Sequence, residues 1–581
     1  VGGSFFCFDR DGKVLWERSL TEEFGRMSGY GGRTQTPVIY EDLVILSSVS
    51  SGWGALTAPR HRYFAFDKLN GKLVWVSTPG GRPFDMNTYS MPVVAEIEGR
   101  RVLVGGNADG AIEALDVQTG ESIWRFKLSK RGINSTVVVE GNRVFATHSE
   151  ENLDEATMGR VVCIDGTGTG DVTETHEVWR VNQVKAGFAT PAIHEGRLYV
   201  VDNSANLHCL DAASGEVAWE FNLGTVGKGS PVLADGKLYV TETNGTFHIL
   251  EPQASQARSL SKVTLELENR TAEIFGSPAI ASRRIFFVTE EGIYCLGSKE
   301  VPFKIENSSF VSSKPEGPAG PLAHVQVVPA EVIVEAGERV EFRVRGLDAA
   351  GRSVSVENPR WTLVGLSGSI DVNGVYSTDL VTHVETGQVK IAVGGLEASA
   401  RLRLLPQLPW TEDFEAVEVG SKPAHWIGAG NRFQVKEIDQ NRVLAKPFVK
   451  AGIQRSYVYI GKSDMSGYTI TADLMGSKQG RRVPDMGLIA NRYGMALMGL
   501  RQEIQVHSWV SELRMATSVP FSWEPNVWYT MKMRVDPEQG GAVVRGKVWR
   551  KGCLLYTSPS PRDQRPNLVC RLLLEKRGGG G

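Results

Sequence analysis

Few residues in this chain are of a type and spacing that would do chemistry. Glu412, Asp413 and Glu415 crowd into the stretch EDFE. A pair of carboxylates is what glycoside hydrolysis uses, one as acid and the other as nucleophile or base. Packed this closely at the entrance to a strand-rich region, they read as solvated strand-edge charges. The run DGTGTGD from Asp165 offers oxygen ligands for calcium. It lacks the glutamate and spacing of a defined calcium loop, so it reads as an extended turn. None of the ten histidines falls in a metal-ligand spacing such as H-E-x-x-H. His208 and His248 occupy related strand positions (LHCL, FHIL), which a structural role explains. GGNADG, residues 105–110, is glycine-rich, but it has no following helix on which a phosphate could rest. No Ser/His/Asp set can be assembled, so no catalytic residue is assigned. Sugar recognition needs only aromatic faces and polar partners. Tyr493, Trp509 and Trp523, with Arg492 beside them, are the candidates for carbohydrate stacking.

The elements that must position such residues are set by a repeated cassette. LHCLDAASGEVAWEFNL (Leu207–Leu223) is an apolar strand ending in Asp, a turn closed by Gly215, and a second strand carrying Trp219. It recurs at Ile112–Leu128 and Tyr63–Ser77, and in shorter form from Ser4. Ahead of each copy come a small residue, usually Pro, then two short strands around a polar turn, as in TPAIHEGRLYVVD from Thr190 and SPVLADGKLYVTE from Ser230. Joined, they make four antiparallel strands every ~40 to 55 residues, the period of a β-propeller blade. Six blade starts and an N-terminal half-blade predict seven or eight blades over residues 1–300. Trp16, Trp75, Trp124, Trp179 and Trp219 share one register and are expected to wedge between blades, burying large rings. Cys7, Cys163, Cys209 and Cys295 share one strand slot with the Ala of other copies. They read as small core residues, not disulfide partners.

The totals exclude some classes. At 581 residues several domains are expected. With 64 basic against 66 acidic residues there is no electrostatic case for nucleic acid. No apolar run reaches membrane-spanning length. There is no initiator Met or secretory signal, and the chain starts inside a cassette, so a truncated start is expected. The end, CLLYTSPSPRDQRPNLVCRLLLEKRGGGG (Cys553–Gly581), resembles a translated DNA-sequencing adapter. Setting it aside removes five basic and two acidic residues and moves net charge from −2 to −5.

The repeat Pro…GxLYV…LxxLDaxTGexxW resembles the quinoprotein-like propellers over about residues 1–300. That superfamily includes dehydrogenases using pyrroloquinoline quinone (PQQ) and an outer-membrane assembly lipoprotein with no cofactor. The resemblance implies an extracytoplasmic location. The chain has no adjacent cysteine pair and no placeable Glu/Asn/Asp calcium set, so neither PQQ nor calcium is expected.

Residues 301–322, rich in Pro, Ser and Gly, read as a linker. Residues 323–405 alternate in short strands with GE…F…V…D..G and W…G…G.Y landmarks, and resemble a bacterial Ig-like sandwich with Trp361 in its core. Residues 410–552 resemble concanavalin-like jelly rolls of the laminin-G and glucanase type, without the E-x-D-x-x-E strand of the glucanases. The fold class is therefore all-β: a propeller, an Ig-like sandwich and a jelly roll. The expected function is a monomeric, non-enzymatic scaffold. Its propeller would bind a protein or glycan partner, the Ig-like unit would act as a spacer, and the jelly roll would be adhesive. A carbohydrate-active enzyme is the alternative, and a quinone-dependent dehydrogenase the third. Function is expected in the irregular insertions Val49–Arg62 and Ser149–Arg160 and in the third domain.

Overall fold

A computed structural model describes residues 3–27, 36–83, 88–298, 300, 317–428, 433–447, 456–478, 480–508, 516–538 and 541–553, with the backbone of 568–572. The chain divides into two compact units. One comprises Phe5–Leu20 and Phe24–Ile460; the other runs from Gly461 onward and includes Val1–Ser4 and Thr21–Glu23. No helix among the described residues is long and apolar enough to cross a membrane.

The first unit opens with a series of blades. A two-stranded sheet (Ser4–Phe8, Val14–Ser19) precedes four sheets of four antiparallel strands and one of four antiparallel strands plus a parallel edge strand, and a three-stranded sheet (Ala279–Ala281, Arg284–Val288, Ile293–Leu296) ends the series. The blade that carries the opening cassette is Ala192–His194, Arg197–Val201, Asn206–Asp211 and Val217–Asn222. Strand order follows chain order in each blade, as tight hairpins require.

The cassette residues explain the repeat. Asp211 Oδ1 accepts hydrogen bonds from the amides of Ala213 and Ser214 at 3.0 Å, holding the turn. Gly215 closes it at φ 78°. A side chain there would also collide with the neighbouring blade, because a Cβ would lie 2.6 Å from the ring of Trp179. Gly71 faces Trp16 and Gly120 faces Trp75 in the same way. Each Trp therefore lies on the turn of the next blade, and for all but Trp75 the indole N–H reaches a carbonyl there. Trp16 donates to Lys68 at 3.0 Å, Trp124 to Gly166 at 2.8 Å, Trp179 to Ala212 at 3.1 Å and Trp219 to Gln253 at 2.9 Å. The Trp75 indole nitrogen is buried without a partner.

Across the ladder, Trp75, Trp124, Trp179 and Trp219 stand opposite Ala65, Ala114, Cys163 and Cys209. The slot is small because a large ring faces it. Cys163 and Cys209 are buried there; Cys7 is half-buried, and Cys295 is exposed in the blade that lacks a Trp strand. The DGTGTGD run adds an edge strand, Gly170–Asp171, parallel to Trp124 and Arg125 of the preceding blade. Asp171 accepts from Lys127 at 2.9 Å and from Thr173 at 2.6 Å, so its carboxylate is already held.

After the blades, strands between Leu322 and Leu405 form sheets around one core that includes Phe342, Tyr376, Val389 and Leu402. Trp361 packs against this core only partly buried. This module lies along the outer strand of the first complete blade, Leu73–Ser77. Val328 enters the blade cluster with Val74 and Trp75, and the Ala330 amide donates to Leu73 O at 2.7 Å. Trp53, from the Val49–Arg62 insertion, donates to Glu331 Oε1 at 2.6 Å, and the Arg401 guanidinium stacks 3.8 Å above its ring while pairing with Glu331 at 2.8 Å. Residues 410–460 join the same unit: Gly54 N donates to Ala424 O at 2.7 Å and Arg403 donates to His425 O at 2.6 Å. The compact unit that holds the blades ends at Ile460.

In the second unit, two four-stranded sheets share one core. Thr469–Leu474, Tyr529–Glu538, Gly541–Arg550 and Leu568–Leu572 form one; Met486–Ala490, Tyr493–Met498, Glu503–Ser508 and Ala516–Pro520 form the other. Leu568–Leu572 belongs to the adapter-like stretch.

Candidate interaction face

Of the residues expected to stack on sugar, Trp523 and Tyr493 pack against the core of the second unit. Trp523 is 4% exposed and packs edge-on to Tyr529, with ring centroids 6.4 Å apart. It offers no face to a ligand, and the expectation for it is corrected: a ring of this size was needed to fill the core. Tyr493 packs half-buried against the same core. Arg492 sits in a turn at φ 66°, its guanidinium 3.7 Å from the Glu22 carboxylate. Trp509 lies outside the described residues.

The EDFE carboxylates hold structure. Glu412 accepts from His425 at 2.7 Å; burial pushes its carboxyl up, but the hydrogen bond and charge of His425 outweigh this and leave it lowered. Asp413 caps the Glu415 amide at 3.0 Å, and Glu415 accepts the Arg442 amide at 2.9 Å.

The densest group of buried ionisable residues joins the first two complete blades. His61 Nδ1–H and the Tyr63 hydroxyl both donate to Asn107 Oδ1 at 2.8 Å. Glu113 accepts from Ser122 at 2.6 Å and pairs with Arg125 at 3.1 Å, and Arg125 also pairs with Asp109 at 2.6 Å. Burial pushes the Glu113 carboxyl up to about 7 and the His61 imidazole down to about 4. A carboxyl near 7 would suit general acid–base work. Here it is 1% exposed, and the backbone of Gly80 and Gly81 packs over Asp109, next to it in the network. The group ties blades together, with His61 and Glu113 buried and only the Arg125 side chain, 20% exposed, reaching solvent to any extent. In later blades, His208 pairs with Asp202 at 3.3 Å and His248 with Glu242 at 2.9 Å across the turn between the second and third strands.

The two irregular insertions separate. Val49–Arg62 is occupied by the module at 322–405 through Trp53. Ser149–Arg160 folds on itself: Asp154 pairs with Arg160 at 2.6 Å, and Asn152 donates to Thr157 Oγ1 at 2.9 Å. This leaves Leu153 42% exposed at its tip.

From Ser149–Arg160 a continuous band of loops crosses three blades. Gln183 N donates to Gly159 O at 3.0 Å, Asn203 N to Lys185 O at 2.9 Å, Gly227 N to Asn203 O at 3.3 Å and Thr243 N to Val226 O at 3.2 Å. On this band Lys228 lies between two aromatic rings, its ammonium 5.5 Å from the Phe188 centroid and 5.2 Å from that of Phe275. Phe188 is 44% exposed and Phe275 54% exposed. Lys228 has no carboxylate partner among the described residues. The two exposed rings and the cation between them form a small mixed patch on the surface.

Sequence reasoning missed these three residues. The signal was present in the repeat register, because Phe188, Lys228 and Phe275 each stand three residues before a strand-opening proline, Pro191, Pro231 and Pro278. Two phenylalanines at a loop position in otherwise polar turns are out of place for solvation alone.

Comparisons with known proteins agree with the blades. A protein-family profile described as outer membrane protein assembly factor BamB matches residues 1–176 and 158–257. Among solved structures, the crystal structure of BamB from Moraxella catarrhalis is similar at 17% identity and a TM-score of 0.38, covering 51% of this chain and 78% of that one. No curated protein matches the chain. Residues 1–257 are a BamB-like, PQQ-repeat β-propeller region within an all-β chain.

Proposed function

We propose that this protein is a non-enzymatic extracytoplasmic scaffold whose propeller binds a protein partner through the loop band around Phe188, Lys228 and Phe275. The exposed Phe–Lys–Phe sandwich carries the reading: two rings give apolar contact area and the unpaired ammonium selects a carboxylate. The favoured partner is a protein segment with apolar side chains flanking an acidic group. The BamB-like match supports a place in the cell envelope, at the periplasmic side of an outer membrane. It also supports a role by binding. Residues 323–405 are read as an Ig-like module and 410–552 as a concanavalin-like module with an adhesive role; sheets around one core within 325–404 and within 468–548 support a sandwich in each.

The full chain should show no release of reducing sugar from envelope polysaccharides, and Lys228→Glu should weaken partner binding about tenfold, the ~1.4 kcal/mol of one hot interface residue. Sugar turnover that persists through purification to constant specific activity would favour the carbohydrate-active alternative.

A further inference from the structure

In four-stranded blades the outermost strand normally keeps one face in water, and most of this propeller follows that rule. Val178 and Val217, on the outer strands of two later blades, are 41% and 44% exposed. The outer strand Leu73–Ser77 does not follow it: Leu73 and Val74 are 0% and 4% exposed. Its sequence, LVWVS, is apolar on both faces, whereas the equivalent strands read EVWRVN and VAWEFN. Val74 is covered by the module at 322–405 through Val328, while Leu73 packs inward with Phe24 and Phe66 and meets the module at Ala330, whose amide donates to Leu73 O.

The same module also reaches across two blades. Arg345 Nη1 donates to Gln118 O of the second complete blade at 3.0 Å and to Gln326 Oε1 at 2.8 Å. Gln326 Nε2 donates to Gln118 O at 3.3 Å, and the Gln118 side chain donates to Glu41 of the first complete blade at 3.1 Å. Trp53, held by Glu331 and Arg401, fixes the opposite end of the first blade.

We propose that the module at 322–405 is a brace for the propeller, not a spacer: it seals the outer strand of the first complete blade and clamps that blade to the second. Covering an edge removes a template for pairing with other chains, and burying Val74 against Val328 adds apolar area that a lone blade lacks. Blades in a repeat array take stability from their neighbours. Loosening the brace therefore weakens the first blades while distant ones keep theirs. The inference does not depend on what binds at Lys228.

Hydrogen exchange on the full chain tests it, comparing the native protein with Val328→Asp. Amides of Leu43–Ser50, an inner strand the module does not pair with, should exchange about tenfold faster or more. Those of Arg197–Val201 and Lys237–Thr241, in blades beyond the brace, should not change, and Glu385–Val393 should stay protected as evidence that the module is folded. If Val328→Asp also deprotects Glu385–Val393, Arg345→Ala gives the same readout without touching the module core. Unchanged exchange in Leu43–Ser50, with Leu322–Val328 deprotected, would overturn the proposal.

Discussion

At the scale of the residue, the ionisable groups buried between blades set how the propeller answers pH. His61 is held at about 4 against an ordinary value near 6.5, so between these values only the unfolded chain takes up its proton. Acid should therefore cost stability as pH falls from 6.5 toward 4, by roughly 3 kcal/mol in the limit. Glu113 acts in the opposite direction. Its carboxyl, raised to about 7, favours the folded state fully below its unfolded value, and that contribution is lost as pH rises through 7. Urea titrations at several pH values should show His61→Asn flattening the acid limb and Glu113→Gln flattening the neutral one. Identical pH slopes in native protein and both variants would contradict these roles. Neither role was legible in the sequence, where His61 is one of ten scattered histidines and Glu113 an acid in a strand. The partner of His61, Asn107, comes from the next blade, and the partners of Glu113, Ser122 and Arg125, from the neighbouring strand.

At the scale of the element, the turn glycines were legible, but only half of their reason was. Aspartate followed four residues on by glycine announces a tight turn, and φ 78° at Gly215 fits that reading. The second constraint, the Trp ring of the preceding blade lying on the glycine, comes from packing between repeats. Two glycines separate the effects. Gly236 has φ 66° with nothing near a prospective Cβ, whereas a Cβ at Gly215 would lie 2.6 Å from Trp179. Gly236→Ala should cost ~1 kcal/mol for the left-handed backbone alone, and Gly215→Ala about 3 kcal/mol once overpacking is added. Chemical denaturation midpoints of the two variants decide this; equal losses would mean that the Trp does not press on the turn. The Cys/Ala slot is explained by the same packing, because it faces the Trp across the ladder.

At the scale of the whole molecule, the all-β blades could be read from the cassette because one spacing carries strand, turn and wedge together. The role of each insertion could not. Val49–Arg62 and Ser149–Arg160 look alike as departures from the repeat, yet Trp53 of the first is held by Glu331, far along the chain, while Leu153 of the second faces solvent. The sugar-stacking expectation for Trp523 failed because an aromatic needed for the core and one displayed for a ligand have the same sequence appearance. Phe188, Lys228 and Phe275 are brought together only by the stacking of successive blades. The most direct measurement of the central claim places a photoreactive phenylalanine analogue at position 275 of the full chain and, as control, at the exposed position 69. Irradiation with envelope proteins should give a discrete protein adduct from position 275, absent from position 69 and lost when Lys228→Glu is added. Equal labelling from both positions, or an adduct indifferent to Lys228→Glu, would contradict a binding face at this site.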